Sequence, residues 1–275
     1  MIKHKLASIW GKFGIRLPGI WAPILCYHSI NNIPNQECDP LSVQLFEKHL
    51  LHLKSEYDVI SVDDLVAGIY GGGFLPKRPV AITFDDGYVD NYMYAFPLLV
   101  KYGLPATFFL ATDFISGKVR LTEANGWEAM TWGQILEMQK SSLISFGAHT
   151  RTHPILSELE DAQAYEEIDG SREDIMQHLG IKAKTFAYPN GQGADIPVSA
   201  LKVVEELRFI AAFSTIWSTY HLPEGRWLIP RVMISGTDEV SVLERKLCGD
   251  YNYLYYWHKL KALTVKFSGS PTVFL

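Results

Sequence analysis

The chain has 275 residues, 48% of them hydrophobic and 20% charged, with a net charge of −5. That is ordinary globular composition, long for one small domain, normal for one α/β barrel and large enough to bury a core without staples. No basic stripe stands out, so no nucleic-acid partner is expected.

Residues 1–14 carry Lys3, Lys5 and Lys12 among Ile2, Leu6, Ile9, Trp10 and Phe13. The lysines interrupt any apolar core and no small-residue cleavage site follows, so no signal peptide is visible. Residues 1–20 read as a basic amphipathic segment. It is either a helix packed on its own domain or a peripheral membrane contact, which would suit a lipid-linked substrate. No run of about 18 apolar residues offers a transmembrane helix. The expectation is a cytoplasmic protein, membrane-associated if this segment makes the contact.

The run 23–27 predicts the first strand. Helices follow over 41–57, with Ser42 as its cap, and over 62–70, stopped by Gly71-Gly72-Gly73. Next come a strand at 80–84, a helix over 91–102 ended by Gly103, and a strand at 106–111. Residues 116–130 read as a polar inserted loop. A helix over 131–140, with Thr131 as cap, precedes a strand at 143–147. A long helix over 157–179 has Ser157 and Glu160 at capping-box spacing and Gly180 as its stop. A strand at 184–188, a helix over 196–207, strands at 209–213 and 228–232 and a helix from 238 complete the pattern. Residues 250–275 form an aromatic and basic tail.

Strand–helix alternation implies a parallel sheet with covering helices. About seven such units suggest a distorted, incomplete (β/α) barrel more than a doubly wound sheet. No Gly-x-Gly-x-x-Gly follows a strand, so dinucleotide binding has no support. No repeat or linker divides the chain, and residues 1–275 read as a single domain. The three cysteines, Cys26, Cys38 and Cys248, are odd in number and lack CxxC spacing. They imply no disulfide framework, although a Cys26–Cys38 pair stays open.

Thr83-Phe84-Asp85-Asp86-Gly87 places adjacent carboxylates at the C-terminal end of a predicted strand, the active face of parallel α/β folds. Alone, it reads equally well as a turn with solvated acids. His149-Thr150-Arg151-Thr152-His153-Pro154 follows another strand, and spacing of four suits two ligands on one face of a helical turn. Alone, such a pair is often a chance pair of surface or capping histidines. Both motifs at strand ends can converge on one rim, offering a mixed N/O ligand set and one spare carboxylate. A three-ligand metal site with an open position makes bound water reactive, which points to metal-assisted hydrolysis. His28 ends the first strand at the same rim and can titrate near neutral pH, or be structural. Arg231 could pair with a carboxylate there and lower its pKa, or be structural. Phe186-Ala187-Tyr188-Pro189-Asn190-Gly191 closes another strand in a rigid turn that can present a backbone N–H to an oxyanion.

Taken together, the Asp-Asp-Gly motif, the His-x-x-x-His motif with Leu156 behind it, and the 186–191 turn resemble the polysaccharide deacetylase family. This is the NodB-homology group, carbohydrate esterase family four, and the likeness spans residues 23–234. The resemblance implies an incomplete (β/α) barrel that removes N-acetyl groups from amino sugars. It implies Asp85 as general base, Asp86, His149 and His153 as metal ligands, and the Asn190 backbone N–H as oxyanion donor. Two departures stand out: Ala187 occupies a position that is usually Arg, and no late Leu-x-His histidine has a clear match. A rearranged subgroup, which includes deacetylases of poly-N-acetylglucosamine, has an N-terminal Tyr-His, and Tyr27-His28 and Phe186-Ala187-Tyr188-Pro189 resemble it. The general-acid role therefore falls on His28, and Arg231 is the candidate tether of Asp85.

Tyr188, Pro189, Trp127 and Trp132 are the candidate substrate-binding residues, and Trp217 and Trp227 also fall near predicted rim loops. The implied cofactor is a divalent metal, Zn²⁺ first, with Co²⁺ or Ni²⁺ also accepted by such a set. The partner is an N-acetylated glycan, or a lipid-linked or nucleotide-linked sugar precursor, and the oligomeric state stays open. The alternatives are a hydrolase of cyclic amides on the same scaffold, a non-catalytic carbohydrate-binding relative, and a scaffold protein.

Overall fold

The computed structural model describes residues 19–33, 40–121 and 128–256. The basic segment at 1–18, Cys38, Trp127 and the tail beyond residue 256 lie outside the described residues, as do the expectations placed on them. Among the described residues, no helix is long and apolar enough to cross a membrane.

Ten short strands are described: β1 Ile20–Trp21, β2 Ile24–Tyr27, β3 Asp58–Val59, β4 Pro79–Phe84, β5 Ala106–Leu110, β6 Ile144–Ala148, β7 Thr185–Ala187, β8 Ala211–Phe213, β9 Tyr220–His221 and β10 Val232–Met233. Seven of them form a parallel sheet in the order β10-β2-β4-β5-β6-β7-β8, curled into an incomplete barrel, with β3 beside β4. The small antiparallel pair β1–β9 has no counterpart in the periodicity. Every residue of β2, β4 and β5 is buried. Such continuous apolar runs are what a sheet covered on both faces requires.

Successive side chains alternate between two cores. Leu25, Tyr27, Ile82, Phe84, Phe108 and Phe186 join the core shared with the outer helices. Ile24, Ala81, Phe109, Ala187 and Phe213 join a second core on the opposite face. By that period of two, Cys26, Thr83 and Asp85 share the face of Ile24 and Ala81.

The covering helices are α1 Val43–Glu56, α2 Val62–Tyr70, α3 Phe96–Tyr102, α4 Thr112–Ile115, α5 Trp132–Gln139, α6 Asp161–Leu179, α7 Val198–Glu206 and α8 Val240–Leu247. Ser42, Ser61 and Thr131 cap α1, α2 and α5, each accepting a backbone N–H from the first turn.

Three elements depart from the sequence pattern. The helix predicted over 157–179 is a 3₁₀ turn, Leu156–Glu158, an extended Leu159, and then α6. Its capping box is Glu160 with Gln163, not Ser157 with Glu160. The anionic cap suits the positive end of the helix dipole. The helix predicted over 91–102 opens with a π-helical turn, Asn91–Ala95, before α3. Pro97 has no N–H to return to the carbonyl four residues earlier, so an α-helical ladder cannot run through this point. Of the strand predicted over 228–232 only Val232 is kept, paired in β10 with Met233 beyond it. Pro230 again lacks a donor. Residues before it bond to β8, Ile229 N–H to the Ala212 carbonyl at 2.8 Å, and residues after it to β2, Ile234 N–H to the Cys26 carbonyl at 3.0 Å. Residues 226–234 therefore bridge the two ends of the sheet.

Candidate active site

Asp85 lies just beyond β4, where its backbone N–H donates to the Tyr27 carbonyl at 3.1 Å. Arg231, on the bridging segment, grips it with two parallel bonds, Nη1 to Oδ1 and Nη2 to Oδ2, both 2.7 Å. The same guanidinium donates to Thr83 Oγ1 at 3.2 Å and, through Nε, to the Ser214 carbonyl at 3.0 Å. Arg231 is fully buried and Asp85 2% exposed. Burial alone would push the Asp85 carboxyl up. The Arg231 charge leads the opposing effects, with His149 and His28 adding to it, and holds the carboxyl below its usual range. The Cys26 thiol donates to Asp85 Oδ2 at 3.4 Å, and burial pushes that thiol well up, so it stays protonated. Among the described residues Cys26 forms no disulfide.

Asp86 turns away from its neighbour because its backbone is left-handed, φ 72°, and Gly87 follows at φ 91°. Its Oδ1 faces His149 Nε2 at 3.3 Å and His153 Nε2 at 3.4 Å. His149 Nδ1–H donates to the Ala187 carbonyl at 2.7 Å, which leaves the Nε2 lone pair aimed at the cluster. One donor atom from each of Asp86, His149 and His153 lies within 4.8 Å of the other two. Burial raises the Asp86 carboxyl, but the surrounding imidazoles of His149, His153 and His28 outweigh it and hold it far below its usual range. Burial likewise lowers His149, and Asp86 and Asp85 more than offset it.

Asp86 Oδ1 is buried and has no hydrogen-bond partner. An ionised oxygen left that way is costly, and a divalent cation shared with two imidazoles satisfies it. The residues present therefore fit a metal of the kind that takes mixed N/O ligands.

The His-x-x-x-His stretch is not a helical turn. It is a loop in which Thr150 (φ 62°) and His153 (φ 59°) are both left-handed, bringing the two rings to 4.9 Å between centroids. Helix α6 clamps this loop from outside. Glu167 accepts from the Arg151 N–H at 2.9 Å, the Thr152 N–H at 2.9 Å and Thr152 Oγ1 at 2.7 Å. Asp174 takes Arg151 Nε at 3.0 Å and Nη2 at 3.2 Å, and also Thr112 Oγ1 at 2.7 Å.

These groups face a partly open cavity of about 300 Å³. His28, Asp85, Asp86, His149, His153 and Asn190 give its polar wall, and Tyr27, Leu41, Tyr88, Met233 and Ile234 its apolar wall. His28 is half-buried, with a ring nitrogen within 4.8 Å of both Cys26 Sγ and an Asp85 oxygen. Asn190 is exposed and left-handed at φ 53°. Thr215 Oγ1 donates to its carbonyl at 2.5 Å. Among the described residues no backbone carbonyl takes the Asn190 N–H.

The structure does not bring all the candidates to this cavity. Tyr188 is fully buried and its hydroxyl donates to the Trp227 carbonyl at 2.9 Å. It points with Phe186 into the helix-side core, so it is a packing residue; Pro189 beside it is buried too. Trp132 lies flat on His178, 4.1 Å between centroids, on the outer helices and not on the cavity wall. Trp217 is buried against Tyr251. Other residues gave no signal: Cys26 as a donor to Asp85, Thr215, and a buried group of Ser29, Asn31, Asp90 and Asn91 behind His28. Only the burial of Cys26 could be read from its apolar run.

Residues 73–210 match the family model described as polysaccharide deacetylase, half of the chain. That stretch contains Asp85, Asp86, His149, His153 and Asn190, while His28 and Arg231 lie outside it. YxkH of Bacillus subtilis (strain 168), a polysaccharide deacetylase by name, is 29% identical over 219 residues, 78% of this chain and 71% of its own. A poly-β-1,6-N-acetyl-D-glucosamine N-deacetylase of Staphylococcus aureus (strain MRSA252) is 29% identical over 171 residues, 59% of this chain. The chain spans a little over half, 57%, of that relative's length. The solved structure of IcaB from Ammonifex degensii superposes with a TM-score of 0.73 at 23% identity, covering 86% of this chain and all of that one, a likeness of fold. With that fold, that rim and that matched stretch, the chain belongs to the polysaccharide deacetylase family.

Proposed function

We propose that this protein is a metal-dependent N-deacetylase that hydrolyses the acetamide of an N-acetylated amino sugar in a polysaccharide and releases acetate. The observation that carries the reading is the convergence, in one cavity, of a three-donor cluster whose Asp86 Oδ1 lacks a partner and a second carboxylate, Asp85, locked by Arg231. The relatives' names favour a polymer over a lipid-linked or nucleotide-linked precursor.

Asp86, His149 and His153 would hold the metal, with Zn²⁺ the first candidate and Co²⁺ or Ni²⁺ compatible with the same donors. When bound, a divalent ion supplies a Lewis acid that lowers the pKa of water from 15.7 to about 7 and polarises a carbonyl. Asp85 is the general base: Arg231 keeps it ionised and aims it at the cavity, ready to take a proton from the attacking water. The Asn190 N–H is the donor for the oxyanion that develops on the acetamide oxygen. His28 hands a proton to the departing nitrogen, which an amide needs because an amine anion is a poor leaving group. Acetate and a free amino sugar result.

The test is acetate release from N-acetylglucosamine polymers, short oligomers, a lipid-linked precursor and a cyclic amide, with metal-stripped and zinc-reloaded protein. Zinc-dependent acetate from the polymers is expected. Metal uptake with no acetate from any sugar overturns the reading.

A further inference from the structure

The group behind His28 is built from buried polar side chains. Asp90 and Asn31 are each 6% exposed, Ser29 5% and Asn91 fully buried. Asn91 Nδ2 donates to the His28 carbonyl at 2.7 Å and to Asp90 Oδ1 at 2.9 Å. Asp90 Oδ2 accepts from Asn31 Nδ2 at 2.8 Å and from the Ser29 hydroxyl. Asn31 Nδ2 also reaches Ser29 Oγ at 2.8 Å. His28, Ser29 and Asn31, which follow Tyr27, are thus tied, through one carboxylate and one carboxamide, to the start of the π-helical turn. On its other side His28 is anchored by Tyr27, whose ring stacks on Phe84 at 5.4 Å and whose hydroxyl meets His49 Nδ1 at 3.2 Å.

Neutral donors alone hold Asp90: among the described residues no cation pairs with it, and burial pushes its carboxyl up. A buried carboxylate without a counter-charge is a poor device for stability. It is a good device for fixing one loop in one place, because three side-chain donors and the Ile30 backbone N–H converge on it. General-acid catalysis is sensitive to such placement. The proton must be delivered across a hydrogen bond of about 2.6–3.2 Å, and a misplacement of about 1 Å can cost on the order of a hundredfold.

We propose that Asp90 and Asn91 are positioning residues for His28: they hold its main chain so that the imidazole meets the leaving nitrogen of the substrate. The inference rests on the deacetylase reading with His28 as the acid.

The experiment compares two substrates whose leaving groups differ in their need for a proton. An N-acetylated sugar needs one; para-nitrophenyl acetate, whose phenolate leaves unaided, does not. Asn91→Ala, Asp90→Asn and, as reference, His28→Ala are measured on both, in zinc-loaded full-length protein, with zinc content and melting temperature recorded. Expected for Asn91→Ala and Asp90→Asn is a fall in amide kcat of about tenfold or more, with KM, zinc content and ester turnover unchanged, so that the amide-to-ester ratio moves as in His28→Ala. A variant that loses amide and ester turnover in equal measure, or neither, while His28→Ala shifts the ratio, overturns this inference and leaves the deacetylase reading standing. An unchanged ratio in His28→Ala removes the acid assignment and this inference with it. Asp90→Asn keeps shape and size, so it decides the matter if Asn91→Ala does not fold.

Discussion

Asp85 and Arg231 show what a single pairing can do at this rim. A carboxylate buried to this degree would pick up a proton without a counter-charge; the paired guanidinium keeps it ionised. Asp85→Asn is expected to bind zinc as the parent does, by calorimetric titration, and to lose about 10²–10⁴-fold in turnover. Near-full activity in that variant would remove Asp85 as the base. Arg231→Met strands a buried charge, and the expected cost is about 3–5 kcal/mol of stability in denaturant unfolding. The paired carboxylates and histidines were legible because strand ends could be placed and those side chains have few other reasons to cluster. Tyr188 was misread for its place in a Pro-Gly turn. Yet Phe186 and Tyr188 are two residues apart and must share a face, here touching at 5.1 Å between ring centroids. The Cys26 thiol bond had no signal, since a cysteine in an apolar run says only that it is buried.

At the scale of the element, α6 matters more than its position outside the barrel suggests. Its Glu167 and Asp174 hold the loop that carries both imidazoles, and Gly170 between them leaves room for the Arg151 guanidinium. A methyl group at Gly170 would stand 2.4 Å from Arg151 Cζ. Glu167→Gln keeps the shape and loses the charge-assisted bonds to the loop. Zinc affinity is expected to fall by about 10–100-fold, the usual effect of losing support behind a metal ligand, and competition with a chromogenic chelator measures it. Gly-to-Ala changes inside helices usually stabilise by about 1 kcal/mol. Gly170→Ala is expected to give no such gain in melting temperature, because Arg151 must leave Asp174 to admit the methyl. The loop itself was not legible. Spacing of four suits a helix, and nothing about Thr150 or His153 announces a left-handed backbone that glycine more often supplies. The π-helical turn and the broken helix before α6 were hidden for a similar reason: periodicity reports which face is buried, not which hydrogen bonds run along the axis.

The whole molecule was the most legible level. Apolar runs that alternate with amphipathic helices leave few arrangements besides a parallel sheet with both faces covered. The join between the sheet's ends was the exception, because Pro230 splits one apolar run between two neighbours. Stability across the molecule carries a pH signature from buried histidines outside the metal-ligand cluster. Burial lowers His221 to about 4, from an ordinary 6.5, and its Nε2–H donates to the Ala22 carbonyl at 2.6 Å. His49 is lowered by burial in the same direction. The unfolded chain takes up a proton at His221 that the folded chain refuses. This contribution is whole above pH about 6.5 and is lost as pH falls toward about 4, on the order of 3 kcal/mol for His221 alone. Unfolding in urea across that window should show the slope, and His221→Asn should flatten it; an unchanged slope would remove His221 from the account. The bridging segment has a last consequence. The guanidinium that closes on Asp85 arrives 146 residues later in the chain, on the stretch that docks between β8 and β2. A chain halted in translation, or clipped by a protease, before residue 231 would still own Asp86, His149 and His153, but its Asp85 would lack the guanidinium that aims it and does most to keep it ionised. Such a fragment should capture metal and yet be silent as a hydrolase, so that turnover itself certifies that the last strand is home.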